Sequence, residues 1–427
     1  MKQVLAPNAA IRGGVSAIAL LLAGIVLVNP AAAEECLLDS DGDDAASAGD
    51  TDGGADGSGT DTLACGIDAE ASGEYSTAIG SYSTADGDYS TAIGVGSWAI
   101  GESAVAVGEG AYTAADFAVA VGGYAEASAI GATALGDWSL AEGEYSVASG
   151  YYSTAEGTNA IAIGGWWDLN TDGLIDDGSL DEPEYANATG DYSIVLGAAG
   201  QATGLGAVAI GPAASATDDY AVAVGGFADA SGFNSTAIGD SSYAGADDAT
   251  ALGADAWAEG EDSTAVGQDS WAYGEGATAL GEDSVAWGDE SVAVGENADA
   301  EGNNSIAIGT DADDNEIGAV ANGARSMAIG ADSVADGDDA IAFGTRASAS
   351  AEGSAAFGTD SSASHLNAFA FGYGAATTRA NQIVLGTTSY TVTMPGLTSS
   401  DSADAQSGDI ELVTTDADGN LATAGGA

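Results

Sequence analysis

Glycine returns every fourteen residues along most of this chain, and that period decides what the chain can fold into. The closing glycines stand at positions 80, 94, 108, 122, 136, 150 and 164, resume at 197 and run in step to 309, then resume from 330 to 386. A weaker glycine sits halfway between them, as at Gly73, Gly87, Gly101, Gly143, Gly260 and Gly288. A fixed internal period of this kind is the mark of a repeat architecture in which each unit packs on its neighbours.

Ser291, Val292, Ala293, Val294 and Gly295 form one clean copy. Its β-branched residues favour a strand. Side chains alternate along a strand, so Val292 and Val294 face one way while Ser291 and Ala293 face the other. A glycine every seven residues would cost a helix about 1 kcal/mol each time. The glycines are therefore expected at turns that need positive φ. One repeat becomes two short strands and two turns, a single rung of an all-β, parallel β-solenoid. Rungs stack about 4.8 Å apart, which makes a rod on the order of 100 Å long.

The two halves of a rung differ. The half ending in the closing glycine is small or apolar on both faces, the pattern of a strand buried on both sides. The other half carries Tyr, Trp, Asp and Glu, as from Asp137 to Gly143, and is expected to face solvent. A rung this thin shelters one row of side chains. The second apolar face needs a cover, and copies of the same chain supply it most simply. A homo-oligomer follows, without a number of copies.

Copies such as Asn304 to Gly309 and Asp283 to Gly288 resemble the head repeats of trimeric autotransporter adhesins, the YadA-like family. The resemblance covers roughly residues 70–390. It implies a left-handed parallel β-roll, a homotrimer, and display on a bacterial surface to bind matrix protein, glycan or another cell. Asn381 to Gly386 and Val413 to Leu421 are similar to the segments that close such a head. The family's heptad stalk and barrel strands do not follow. A head belonging to a longer adhesin and an anchorless form both stay open.

The chain carries 66 acidic against five basic residues, a net charge of −61. Such a field excludes nucleic acid and anionic membrane surfaces as partners. It serves solubility or a saline habitat, with cation capture as the alternative. Residues 1–33 read as a secretory signal peptide: Lys2 and Arg12 precede the apolar run Val15–Val28, and Ala31–Ala33 mark the cleavage site. The run is too short to span a membrane, and export to the cell surface or medium follows. Residues 34–69 form an acidic, glycine-rich cap. Cys36 and Cys65 bracket most of it and suggest a disulfide in an exported protein, against two free thiols or an intermolecular bridge.

Two breaks interrupt the period, dividing the roll into residues 70–164, 190–309 and 324–390. The first, 165–189, contains a sequence of the calcium-loop type starting at Asp168. Asp168, Asn170 and Asp172 offer side-chain oxygens, Leu174 its carbonyl, and Asp176 a direct or water-mediated contact; Gly173 allows the sharp turn. The twelfth position is Ser179 where a bidentate Glu is usual, leaving Asp181 or Glu182 to substitute. Ordinary turns use the same residues. The expected role of Ca²⁺ here is to rigidify an excursion from the rod. The second break, 310–323, carries Asp311, Asp313, Asp314, Asn315 and Glu316 without calcium spacing and reads as a surface loop. In the closing segment, 391–427, a strand pair is expected around Asp418 and Gly419. Tyr390 to Met394 reads as a last strand stopped by Pro395.

Catalysis finds no footing. His365 is the sole histidine, and no lysine follows Lys2. The carboxylates recur with the repeat, as an exposed face does and a tuned acid–base pair does not. Tyrosines recur five residues before a glycine at 75, 82, 89, 145, 152, 185, 192 and 220, and stacked rungs align some of them into ladders that either stabilise the roll or recognise a partner. The leading function is an adhesin head. The alternative is an anchorless structural protein assembling into a fibre or coat with calcium, and ice or mineral binding through interrupted threonine rows ranks last.

Overall fold

A computed structural model describes residues 34–35, 53–167, 184–312, 317–394, 400, 405–406, 413–417 and 419–423. Three-residue strands alternate with two-residue strands along the roll, as in Thr91–Ile93 and Trp98–Ala99. All strands of one kind stack in parallel. The longer ones, with the two-residue strand Glu34–Glu35 at one end, build a 23-stranded sheet, and twenty of the shorter build a second ladder opposite it. The offset between neighbours is one repeat, pairing Thr91 with Thr77 and Ile93 with Ile79. The breaks cause no slip, because Ile161 pairs with Ile194 and Ile306 with Met327. A one-residue shift would turn the inward row outward, so the burial pattern itself holds the register.

The core is a column of alanine. The middle residue of each long strand and the second residue of each short one, as in Ala78, Ala85, Ala92 and Ala99, are wholly buried. Two sheets this close leave room for a methyl group and little more. Corner serines fill the remaining space, and those just past a closing glycine donate back to its carbonyl, Ser83 to Gly80 at 2.8 Å and Ser139 to Gly136 at 2.8 Å. The hydroxyls of Ser76, Ser90 and Ser146 at the other corner are buried without a partner among the described residues. Among the described residues, Val195 and Glu184 are the largest fully buried side chains.

The glycines divide into two kinds, which corrects the expectation that both mark positive φ. The closing glycines do adopt it, Gly94 at +138° for example. The halfway glycines do not; they are glycines because rungs touch there. A Cβ on Gly87 would lie 1.9 Å from the carbonyl oxygen of Gly101 in the next rung. The left-handed region is instead occupied at each corner by a residue of any type: Tyr75, Tyr89, Trp138 and Asp262 all lie near φ +60°. Each such residue costs roughly 1 kcal/mol of strain. It is held there because its N–H donates one rung back, as Tyr89 does to the Glu74 carbonyl at 2.7 Å.

Two boundaries shift. The ladder starts before residue 70, since Leu63–Cys65 already pairs with Thr77–Ile79. Glu34 and Glu35 pair with Leu63 and Ala64. Cys65 is disulfide-bonded; Cys36 lies outside the described residues. At the other end the last rung is Ile383–Leu385. Tyr390 to Met394 is not a strand, because nothing among the described residues pairs with it; the Tyr390 N–H closes a turn on the Thr387 carbonyl. Val413–Thr415 and Leu421–Thr423 do form the expected antiparallel pair, and Arg379 donates to Asn420 Oδ1 at 2.9 Å, tying that hairpin to the roll.

Candidate functional site

The long sheet turns two parallel rows of side chains away from the alanine column. The first and third residues of each strand fill them: Thr91 and Ile93, Val105 and Val107, Thr133 and Leu135. The third-position side chains are among the most exposed aliphatics of the roll, Ile163 and Leu252 at 44% and Leu280 at 45%. Strand alternation makes this unavoidable, because a strand whose middle residue points in must point its flanks out. The result is a continuous apolar face on one side of the rod, and among the described residues nothing covers it. Apolar patches of this extent mark interaction surfaces.

The two flanking edges are built from the corners. At the edge leading from short strand to long, an aspartate before the left-handed residue accepts a backbone N–H of the preceding rung: Asp88 from Glu74 at 2.8 Å, Asp116 from Glu102 at 2.9 Å, Asp191 from Thr158 at 2.8 Å, Asp219 from Leu205 at 2.8 Å. These exposed carboxylates recur with the repeat, and they also stitch rung to rung, which the sequence did not reveal. Tyr75 and Tyr89 stack on this edge at 5.2 Å. Tyr82 belongs to the opposite edge, so the seven-residue tyrosine series splits into two ladders. On the second edge Trp138 stacks between Tyr124 and Tyr152 at 4.6 and 5.9 Å.

The outer face of the short sheet carries a further aromatic group. Tyr243 meets Trp257 at 4.3 Å, and Tyr273 stacks on Trp287 at 4.1 Å. Burial, helped by the charge of Glu259, raises the Tyr273 hydroxyl pKa. Two rungs on, Asp299 lies in the ladder between Val285 and Val320. Burial there pushes its carboxyl up to about 6, with Glu301 adding to the effect. The opposite shift marks Asp339 and Asp360, which Arg325 and Arg346 hold below the usual carboxylate range through 2.7 Å hydrogen bonds across one rung.

The proposed calcium ligands Asp168, Asn170, Asp172, Leu174, Asp176 and Asp181 lie outside the described residues, as do residues 313–316 of the second break. Among the described residues, no group of three His, Cys, Asp or Glu side chains is placed to hold a metal. The base of the first excursion is described, and it is built firmly. The Trp166 indole N–H donates to Glu184 at 3.0 Å, and the Trp167 N–H donates to the Glu184 carbonyl at 2.8 Å. Trp167 reaches along the edge to Phe227 at 5.7 Å, and Ala199, on that same edge, is buried to 2% exposure. Sequence reading passed over Trp166, Trp167 and Glu184; the paired tryptophans beside the break were the available signal. His365 Nδ1 lies 3.2 Å from Ser364 Oγ and from Thr377 Oγ1, hydroxyl partners that offer it no activating acid.

Parallel rungs, an alanine column and one uncovered apolar face define a β-solenoid repeat domain built to present its surfaces. The family model of the YadA head domain repeat matches eleven stretches of the chain, spread over residues 58–165, 202–312 and 321–375. Those stretches exceed half of the sequence, and the chain belongs to the YadA head family. No curated protein matches it.

Proposed function

We propose that this chain is the head of a homotrimeric adhesin, exported and displayed outside the cell, where it attaches to matrix protein, glycan or another cell. Membership in an adhesin family whose heads are usually trimeric supports the reading. The observation that carries it is the uncovered apolar face of the long sheet, running the length of the roll. Three copies facing inward remove that face from water at roughly 25 cal/mol per Å². The acidic edges then point outward and keep the rods apart from one another in solution.

The chain acts by binding and not by catalysis. The hydroxyls beside His365 come without an acid to orient the imidazole, and membership in an adhesin family supports binding. Calcium at Asp168, Asn170, Asp172, Leu174, Asp176 and Asp181 belongs to the same proposal, as does a bridge between Cys36 and Cys65. The parallel pairing of Glu34 and Glu35 beside Leu63 and Ala64 supports the bridge. Replacing Leu135, Leu252 and Leu280 together with Glu tests the trimer. The variant is expected to run at the mass of one chain and to lose attachment to immobilised matrix protein or host cells.

A further inference from the structure

Past the stacked pair Tyr75 and Tyr89, ring and gap alternate on the edge that leads from short strand to long. The left-handed corner residue is aromatic at Tyr89, Phe117, Tyr145, Tyr192 and Tyr220, and each rung between them carries serine, asparagine or glycine instead. Two rungs separate neighbouring rings, about 10 Å. All five rings are more than half exposed. They lean back over the small residue: a Cβ on Gly131 would meet Cδ1 of Tyr145 at 2.7 Å, and one on Gly206 would meet Cδ1 of Tyr220 at 3.3 Å.

Every one of these rings follows a carboxylate, namely Asp88, Asp116, Glu144, Asp191 and Asp219. Four of those carboxylates are pinned by a backbone N–H of the rung before, as described above. The opposite edge holds one such pair, Asp137 pinned by the Gly123 N–H at 2.8 Å and followed by Trp138, but Trp138 is already stacked by Tyr124 and Tyr152. There Tyr124 follows Gly123, Tyr152 follows Tyr151, and the rings stack on one another across adjacent rungs. Among the described residues no ring stacks on Phe117, Tyr145 or Tyr192.

We infer that this edge, from Asp88 to Tyr220, is a docking strip for a cationic polypeptide. A lysine or arginine side chain laid against a ring sits over its negative face, and its head group reaches the carboxylate one residue away. The charge complement comes from outside the strip, because no lysine or arginine occurs between Arg12 and Arg325. A single exposed site of this kind binds weakly. Five in line act together on one extended partner. The strip deepens the adhesin reading by naming a partner class, and it rests on that reading for its biological use. Its binding in solution requires neither surface display nor a membrane anchor.

The test titrates the mature chain, residues 34–427, with a labelled oligo-arginine peptide and, separately, with a neutral β-linked oligosaccharide. The key variant is Phe117→Asn, Tyr145→Asn and Tyr192→Asn combined. Asparagine already occupies the same left-handed corner at Asn159 and Asn234, and net charge is unchanged. The peptide is expected to bind the wild type and to lose at least about tenfold in affinity with this variant. Trp138→Asn on the other edge should cost less than about twofold, and Tyr145→Phe should bind as wild type. Equal affinity of wild type and triple variant would overturn the proposal, leaving only the diffuse field of an acidic rod. Tighter binding of the oligosaccharide than of the peptide would overturn it in favour of a glycan. Native mass is measured on the same samples. A triple variant that loses its oligomeric state would show the rings to be contacts between copies. A wild type that binds peptide as a monomer would break the trimer reading and keep the strip.

Discussion

A Cβ built on Gly200 would stand 2.9 Å from Cγ1 of Val195. Except at Val384 in the last rung, the position of Val195 elsewhere in the roll is alanine, and the position of Gly200 is alanine or serine, as at Ala214 and Ser242. One rung has exchanged a methyl group across its interior. Gly200→Ala alone overpacks the core and should cost about 1–3 kcal/mol. Val195→Ala alone leaves a void and should cost about 1–3 kcal/mol. The double variant restores the pattern of its neighbours and should melt close to wild type, a coupling that a double-mutant cycle on thermal unfolding reads directly.

Rung-to-rung contact, and not backbone handedness, accounts for the halfway glycines. Gly87→Ala drives a Cβ into the Gly101 carbonyl and should cost upwards of about 3 kcal/mol, because backbone on both sides must move. Gly96→Ala is the contrast. Nothing lies within 4 Å of that Cβ, and its φ of +63° is one that aromatic and acidic residues adopt at other corners. It should cost only about 1 kcal/mol. Comparable losses from both variants would contradict the contact explanation.

Asp299 gives the roll a local response to pH. Its folded pKa of about 6 lies above the ordinary carboxylate value, so the folded state binds more protons than the unfolded state between roughly pH 4 and 6. The contribution of Asp299 is therefore fully present below that window and is lost as pH rises through 6. Asp299→Asn should raise the melting temperature at pH 7 relative to wild type and leave little difference at pH 4. Asp339 and Asp360, held low by Arg325 and Arg346, act the other way and lose their partners only in stronger acid.

The calcium proposed for residues 168–181 would stabilise by mass action, about 2.7 kcal/mol at a hundredfold excess over the dissociation constant. The melting temperature of residues 34–427 should rise on adding calcium and fall with a chelator. Asp172→Ala should abolish the rise. Unchanged calcium binding in that variant would remove the loop from the account.

Much of this architecture was legible in the sequence because the fold is one-dimensional. A strict period fixed register, and alternation within Ser291–Gly295 set Val292 and Val294 on one face and Ala293 on the other, as found. Which of the two rows lies inside came only from the structure, where Ala293 is buried. The homologous motif carried the family. What stayed hidden depended on residues a full rung apart or farther. Asp88 reads as a solvated acid until the N–H of Glu74 is placed beside it. Gly87 reads as a turn until Gly101 is placed above it. Tyr145 gives no hint of positive φ, because that conformation is associated with glycine, and here inter-rung hydrogen bonds impose it on an aromatic residue. The Trp166–Glu184 contact spans an excursion whose path no local pattern dictates.

The central claim is that the apolar face of the long sheet is covered by two further copies of the chain. Sedimentation equilibrium of residues 34–427 at micromolar concentration tests it most directly. The account predicts a single species at three times the chain mass, falling to one when Leu135, Leu252 and Leu280 become glutamate. A wild-type species at the mass of one chain would contradict it.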